Sequence, residues 1–354
     1  MGLKILHSAD WHLDSPFTGF PEQQRQRLQE AQRKIPGKVA EVCRRENCDL
    51  VLLAGDLFDG EARQETVELL KRELENCGVP VVISPGNHDF YGDGSPWKEE
   101  VWPENVFIFT DGLESVTIQG LNCRIYGAAF RSMDCPSLLE GFQAQGEEQY
   151  CVAVLHGDPL QRNSPYNPIT NAQVRGSALD YLALGHIHKA GTFRSGETLC
   201  AWPGCPMGRG WDETGDKGIC IVTLDQEASV QAMSLQLPRF FDLEAELHGD
   251  AIGAVEAVLP AVPGEDFYRV TLTGSGIVDL KQLQREFADF PNLELRDQTE
   301  PPVEVWADTD KDSLEGIYFG MLRKALEETP ENARQIQLAA EISRKILCGR
   351  EVKL

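Results

Sequence analysis

Five of the seven histidines in this 354-residue chain, His12, His88, His156, His186 and His188, fall in short polar clusters with Asp10, Asp56, Asp59, Asn87 and Asp89. Imidazole together with carboxylate is the ligand set of borderline divalent metals such as manganese, iron or zinc. In extended backbone, residues two apart point to the same side, so Asp10 with His12, and His186 with His188, are expected to reach one centre. A carboxylate such as Asp56 can bridge two cations, one oxygen to each. Two cations held ~3.5–4 Å apart can bind both a nucleophilic hydroxide and a phosphoryl oxygen, the chemistry of nucleases and phosphatases. Each cluster alone is ordinary: Asp-x-His is commonplace, and Asp59 and Asp89 are also favoured in turns on local grounds. Five clusters in order along one chain favour a metal site.

Such a site needs elements that deliver the clusters to one place. Apolar runs at residues 3–7, 49–54, 79–84, 151–155 and 180–184 read as strands, and each runs directly into a cluster. The unbroken apolar character of residues 49–54 is that of a strand covered on both faces. Leu28, Ala31 and Ile35, then Val39, Val42 and Cys43, mark helical faces split at Pro36-Gly37. Val67, Leu70, Leu74 and Cys77 mark another helix, stopped by Gly78. Alternating strands and helices predict an α/β sheet, whose ligand sites lie at the carboxyl ends of the strands. Residues 106–109, 115–119 and 123–127 read as antiparallel strands joined by Asp111-Gly112 and Gly120-Leu121-Asn122 turns. Further strands are expected at 198–202, 218–224 and 230–235. Beyond Leu237-Pro238, strands at 240–247, 267–273 and 293–296 alternate with helices at 251–259 and 278–287. Glu300-Pro301-Pro302 then leads to amphipathic segments at 314–326 and 334–347. The expected domains are residues 1–238, 239–300 and 301–354.

Composition bounds what these elements can do. Apolar residues are 42% and charged residues 25% of the chain, as in ordinary globular proteins. The formal charge is −23, and it is spread: residues 1–238 hold 20 basic and 33 acidic side chains, residues 239–354 hold 13 and 23. Such a field repels phosphate backbones, which excludes a free-standing DNA-coating protein and leaves nucleic-acid chemistry to a local site, metal ions or a partner. Ten cysteines are too few for a disulfide scaffold, and the Cys43/Cys48 and Cys200/Cys205 spacings match no zinc pattern, so reduced thiols are expected. No apolar run approaches the ~18 residues of a membrane helix, and the first residues carry neither a signal-peptide core nor a myristoylation pattern. A soluble cytoplasmic protein is expected.

Taken together, Asp10-x-His12, Gly55-Asp56-x-x-Asp59, Gly86-Asn87-His88-Asp89, His156 and Gly185-His186-x-His188 resemble the signature of calcineurin-like metallophosphoesterases. Residues 5–13, residues 180–188 and Pro203-Gly204-Cys205-Pro206 are similar to the SbcD-type DNA-repair exonucleases, and the unit from Pro238-Arg239-Phe240 is similar to their capping domain. The resemblance covers about residues 1–300 and implies a four-layer α/β/β/α sandwich with a small C-terminal α+β capping domain. It implies two divalent metal ions, manganese foremost, with iron, zinc or magnesium as alternatives. Asp10, His12 and His188 would hold one ion, Asn87, His156 and His186 the other, and Asp56 would bridge them. His88 would be the catalytic residue, facing the scissile phosphate to stabilise charge or protonate the leaving oxygen. Asp59 and Asp89 would orient histidines or the turn. The implied reaction is hydrolysis of a DNA phosphodiester by a metal-bridging hydroxide in line with the departing 3′ oxygen.

The implied partners are DNA and an SMC-like ATPase, which the family binds through segments beyond the capping domain. The tail offers two apolar stripes, Leu314, Ile317, Met321 and Ala325, and Ile336, Ala339, Ala340, Ile342 and Ile346, which either dock such a partner or pack on their own domain. Seven basic residues between Arg25 and Arg45 either steer phosphate backbone or form a solvated helix face. Trp11, Tyr91 and Trp97 either stack on bases or pack in the core. His7 is expected to support the first cluster, and His248 to lie on the surface. A homodimer, the DNA end preferred and endonuclease against exonuclease action stay open. Two other functions fit the residues: a phosphatase or phosphodiesterase for nucleotides or small phosphates, and a non-catalytic metal-bound scaffold of an ATPase complex. The intact His88 argues against the scaffold.

Overall fold

The computed structural model describes residues 2–301, 304–307 and 309–349; Pro302 of the expected linker lies outside them. The chain begins β1 (Leu3–Ser8), α1 (Glu22–Gln32), α2 (Ile35–Arg45), β2 (Leu50–Leu53), α3 (Gln64–Glu75), β3 (Val81–Ile83), α4 (Pro96–Glu99) and β4 (Val106–Ile108). It continues with β5 (Glu114–Ile118), β6 (Cys123–Gly127), β7 (Tyr150–His156), α5 (Asn171–Gly176), β8 (Tyr181–Gly185), β9 (Gly191–Ser195), β10 (Thr198–Trp202), β11 (Ile219–Leu224) and β12 (Ser229–Met233). It closes with β13 (Phe240–Leu247), α6 (Ala251–Glu256), β14 (Phe267–Gly274), α7 (Leu280–Glu286), β15 (Leu293–Asp297), α8 (Leu314–Glu328) and α9 (Ala333–Leu347).

Two six-stranded sheets form, ordered β12-β11-β1-β2-β3-β4 and β5-β6-β7-β8-β10-β9. The pleat sends alternate residues of each buried strand to opposite faces. Ile5, Leu50, Leu52 and Val82 meet Ile125, Val152, Val154 and Tyr181 between the sheets. Leu6, Val51, Leu53 and Ile83 point outward onto Leu28, Val39, Val67 and Leu70 of the helices. On the far face of the second sheet, Leu155, Leu182 and Leu184 pack with Val174 of α5. This is the expected α/β/β/α order, with the fourth layer thinned to one short helix and irregular chain. Each of these aliphatic side chains, being fully buried, contributes roughly 1.5–3 kcal/mol.

The stretch 106–127 differs from the antiparallel arrangement expected. β4 lies parallel to β3, with Val106 opposite Val81, and closes the first sheet, whereas β5 and β6 pair antiparallel at the edge of the second. Fully buried Phe109 anchors the crossing, so the Asp111-Gly112 turn changes sheets and does not fold a hairpin. Three elements escaped the apolar pattern, α4, α5 and β9, although Thr170 and Gln173 form a reciprocal capping box that announces α5. His7 joins the sheets: its Nδ1 lies 2.7 Å from the Tyr181 hydroxyl and its Nε2 3.1 Å from the Leu184 carbonyl. Burial pushes this imidazole down to about 3, so it stays neutral. Tyr181→Phe strands the buried ring nitrogen and is expected to cost about 1–3 kcal/mol in urea unfolding at pH 7; an unchanged midpoint would contradict the bridge.

Two compact units make up the described residues, one running to Phe241 with Glu265–Phe267, the other formed by Asp242–Gly264 and the chain from Tyr268 onward. In the second unit β14 and β15 pair in parallel, and α8 and α9 form a helical hairpin. Arg344 covers the ring of buried Phe319 at 3.8 Å and donates to the Val305 and Ala307 carbonyls. Of the two expected stripes, Ala340 is buried, while Leu314, Ile317, Met321 and Ile346 are exposed. Among the described residues no helix is long and apolar enough to cross a membrane.

Candidate metal centre

All five clusters reach the carboxyl-terminal rim of the two sheets. The backbone that brings them there is not extended, as the two-residue spacing suggested: Asp10, His12, Asp56 and His186 have φ of 56°, 46°, 52° and 93°. Left-handed backbone costs a non-glycine residue roughly 1–2 kcal/mol, and it persists only where surroundings over-determine it. Here the first two loops are laced together. The amides of Asp10, His12 and Leu13 donate to the carbonyls of Gly55, Asp56 and Leu57 at 3.0, 2.9 and 2.8 Å. Gln32 of α1 donates to the His12 carbonyl at 2.7 Å. Asp89, buried, collects the amides of Gly86, Asp56 and Leu57 at 2.8, 3.1 and 2.8 Å. Gly86 lies so close that a Cβ would run into the Asp56 carboxylate, and a Cβ on Gly185 into the Ala54 carbonyl.

Asp10, His12 and His188 bring ligand atoms within 4.8 Å of one another, as do Asp10, Asp56 and His156. Asp56 Oδ2 stands 3.3 Å from His156 Nε2 and 3.8 Å from His12 Nε2, while its Oδ1 accepts from the His88 amide at 2.8 Å. One oxygen therefore faces both imidazoles. Asn87 Oδ1 is 2.9 Å from His156 Nε2. His186 belongs to none of the three-donor groups; its ring lies edge-on to His156, centroids 5.2 Å apart, and its backbone amide donates to Asp10. The ring of His88 is 4.8 Å from that of His12, its Nδ1 3.3 Å from Asp59 Oδ1, and its ligand atom also groups with His12 and Asp56.

The donor set fits divalent metal. His12 Nδ1 is 3.3 Å from Asp59 Oδ1 and His188 Nδ1 donates to Glu213, so each ring spends its proton on a carboxylate. Their Nε2 atoms face each other at 3.1 Å. With the Nδ1 atoms so engaged, the two Nε2 atoms are left facing one another, an arrangement that a bound divalent cation would satisfy.

Electrostatics at the centre are set by burial working against close charges. Burial disfavours the Asp56 anion, but His156, His12 and His88 outweigh it and hold the carboxyl well below its usual range. Burial likewise opposes a charged His156, yet Asp56 and Asp10 raise it to about 9. A pKa raised above the ordinary ~6.5 means the proton stabilises the metal-free fold below that pH and is lost as pH rises through 9. A cation bound at His156 would have to displace it. Calorimetric titration with manganese at pH 7 to 8 in buffers of different ionisation enthalpy should therefore show release of about one proton per chain from this group; none released would contradict the assignment.

Two residues at the rim carried no signal strong enough to single out. Glu213, between β10 and β11, accepts from His188, and that hydrogen bond, with the charge of Arg209, outweighs burial and brings the carboxyl down to about 2. Arg209, four residues earlier, lies 3.5 Å from Glu213 and 3.7 Å from Asp59. Their segment, 207–217, has no apolar period, and only its charge density among glycines could have drawn notice. If His188 holds a cation, Glu213→Gln should weaken manganese binding roughly 10–100-fold, because the ring loses its anionic partner; equal affinity by titration would exclude that role.

The aromatic residues near the clusters and the basic island resolve into packing and surface ion pairs. Trp11 and Trp97 are buried, Trp11 donating to Ser8 and Trp97 stacked on Trp102, so neither can stack on a base. Tyr91 is half-buried under Arg131. In the basic island, Arg25, Lys38 and Arg45 pair with Glu22, Glu41 and Glu46 on helix surfaces. His248 is exposed beside Glu246.

Known proteins share this pattern. A profile of calcineurin-like phosphoesterases matches residues 3–190. The chain is 34% identical over 237 residues to YhaO, an uncharacterized metallophosphoesterase of Bacillus subtilis, the match covering 62% of this chain and 57% of that protein, little more than half its length. It is 33% identical over 369 aligned positions to the SbcD component of the nuclease SbcCD of Staphylococcus epidermidis, covering 92% of this chain and 95% of the other. The corresponding SbcCD component of Staphylococcus saprophyticus is 31% identical over 117 residues, 31% of this chain and 29% of that one.

Proposed function

This chain belongs to the calcineurin-like phosphoesterases, and we propose that it is a two-metal phosphodiesterase that cleaves DNA. The observation that carries this function is the inward-facing donor set: His12 and His188 with opposed Nε2 atoms at 3.1 Å, and Asp56 Oδ2 between His12 and His156. In this assignment Asp10, His12 and His188 hold one cation, Asn87, His156 and His186 the other, and Asp56 both, with manganese the first choice of metal. The pair supplies Lewis-acid chemistry, acidifying water and neutralising charge at the phosphoryl group. His88 binds neither. Its bond to Asp59 outweighs partial burial and raises its pKa, which favours the protonated ring that would give a proton to the departing oxygen. Asp59 orients both His12 and His88, and Asp89 fixes the turn that carries Asn87 and His88.

DNA is favoured as substrate by likeness to a nuclease component along nearly the whole chain. The net charge of −23 withholds long-range attraction for DNA, so in this account an SMC-like ATPase partner supplies it. Residues 239–300 would serve as the capping domain, and the tail from 301 onward as the docking segment. The exposed Leu314, Ile317 and Met321 of α8 suit that task. Ten unpaired cysteines suit a reducing, cytoplasmic compartment.

The same acidity favours a second substrate class, nucleotides or other small phosphates. Purified protein with manganese, given labelled DNA or bis-p-nitrophenyl phosphate with and without the ATPase, separates the two. Degradation of DNA is expected. Cleavage of the small diester but never of DNA would favour the second class, and cleavage of neither, with two ions bound, a scaffold.

A further inference from the structure

We propose that Arg209 is a positioning residue that clasps the two carboxylates orienting His12 and His188, and thereby sets how those imidazoles face each other. The two rings come from different loops and are steered by different acids. His12, after β1, is held by Asp59 from the loop after β2, and His188, after β8, by Glu213 from the loop between β10 and β11. A single guanidinium spans both acids. Its Nη1 is 3.7 Å from Asp59 Oδ1, its Nη2 is 3.5 Å from Glu213 Oε1, and the Arg209 amide donates to Glu213 Oε2 at 2.8 Å. Only a quarter of the side chain is exposed, and the buried Nε has no hydrogen-bond partner. A guanidinium that forgoes a bond at Nε is placed by its ends, and both ends face carboxylates.

Arg209 Nη2 also lies 3.4 Å from His188 Nδ1, but that nitrogen gives its proton to Glu213 and has no lone pair for arginine. The arginine therefore acts on the ring through the acid. Without it, two anions would face one another across the rim and the imidazole arms would lose their common anchor. A lysine, offering one compact charge, cannot reproduce the fork.

The inference rests on the assignment of His12 and His188 to one cation of a pair, and the test keeps the two claims apart. Manganese is titrated by calorimetry into the full chain as wild type, Arg209→Met, Arg209→Lys, Asp59→Asn and the Arg209→Met/Asp59→Asn double variant, with unfolding temperature in chelator checking the fold. Wild type should bind two ions. Arg209→Met should bind one of them 10–100-fold more weakly and the other unchanged, Arg209→Lys should recover only part of the loss, and Arg209→Met should cost less in the Asp59→Asn background than alone. Equal affinity in Arg209→Met, or an equal loss in both backgrounds, would overturn the role. If Arg209→Met fails to fold, Arg209→Lys decides: weakened binding at a normal unfolding temperature supports the clasp, and unchanged affinity overturns it. Fewer than two ions on the wild type would instead sink the underlying assignment, and the clasp with it.

Discussion

Replacing His88 with alanine is expected to cut turnover at least about 100-fold, the ordinary worth of a positioned proton donor, while the protein still binds two divalent ions. The side chain is 42% exposed, unlike the buried His12 and His156 around it. Its Nδ1 is occupied by Asp59 at 3.3 Å, and this bond raises its pKa, so the proton is lost at higher pH than from a free imidazole. The base-side limb of a kcat profile should therefore belong to His88 and shift to lower pH in Asp59→Asn. The geometry leaves His88 a competing role, because its ligand atom also groups with His12 and Asp56. Metal analysis discriminates: a His88→Ala protein that lost one ion along with its activity would make His88 a ligand.

Asp56→Asn should be more severe, removing both bound ions and at least about 1,000-fold of activity, since in the proposed assignment one buried carboxylate serves both cations. Its Oδ2 lies 3.8 Å from His12 Nε2 and 3.3 Å from His156 Nε2, and the His88 amide donates to its Oδ1. The substitution also takes away the foremost charge holding a proton on His156. Two readouts must then move together: metal content by elemental analysis, and the proton released on titration, which should vanish. An Asp56→Asn protein that kept two ions would remove Asp56 from the centre.

Much of this fold was legible because its strands are short, continuously apolar and followed at once by polar residues; β1, β2, β3, β7 and β8 each deliver their cluster where expected. The conformation of those clusters was not. Nothing in Asp-x-His spacing distinguishes an extended pair from two left-handed residues, since the φ of Asp10 and His12 is imposed by bonds to Gly55 and Asp56, far along the chain. Long-range hydrogen bonding likewise hid Glu213 and Arg209, whose loop has no period and whose partners His188 and Asp59 lie in two other loops. β4 was misplaced for a related reason: Phe109 packs between the sheets, and a turn that changes sheets has the same residues as one that folds a hairpin. On α8 the buried contact is Phe319, outside the apparent stripe, because Arg344 of α9 covers that ring.

The central claim is a pair of adjacent cations, and anomalous diffraction from manganese-soaked crystals tests it most directly. The account predicts two peaks roughly 3.5–4 Å apart, on either side of Asp56, one against Asp10, His12 and His188 and the other against Asn87, His156 and His186. A single peak, or two well separated, would contradict it.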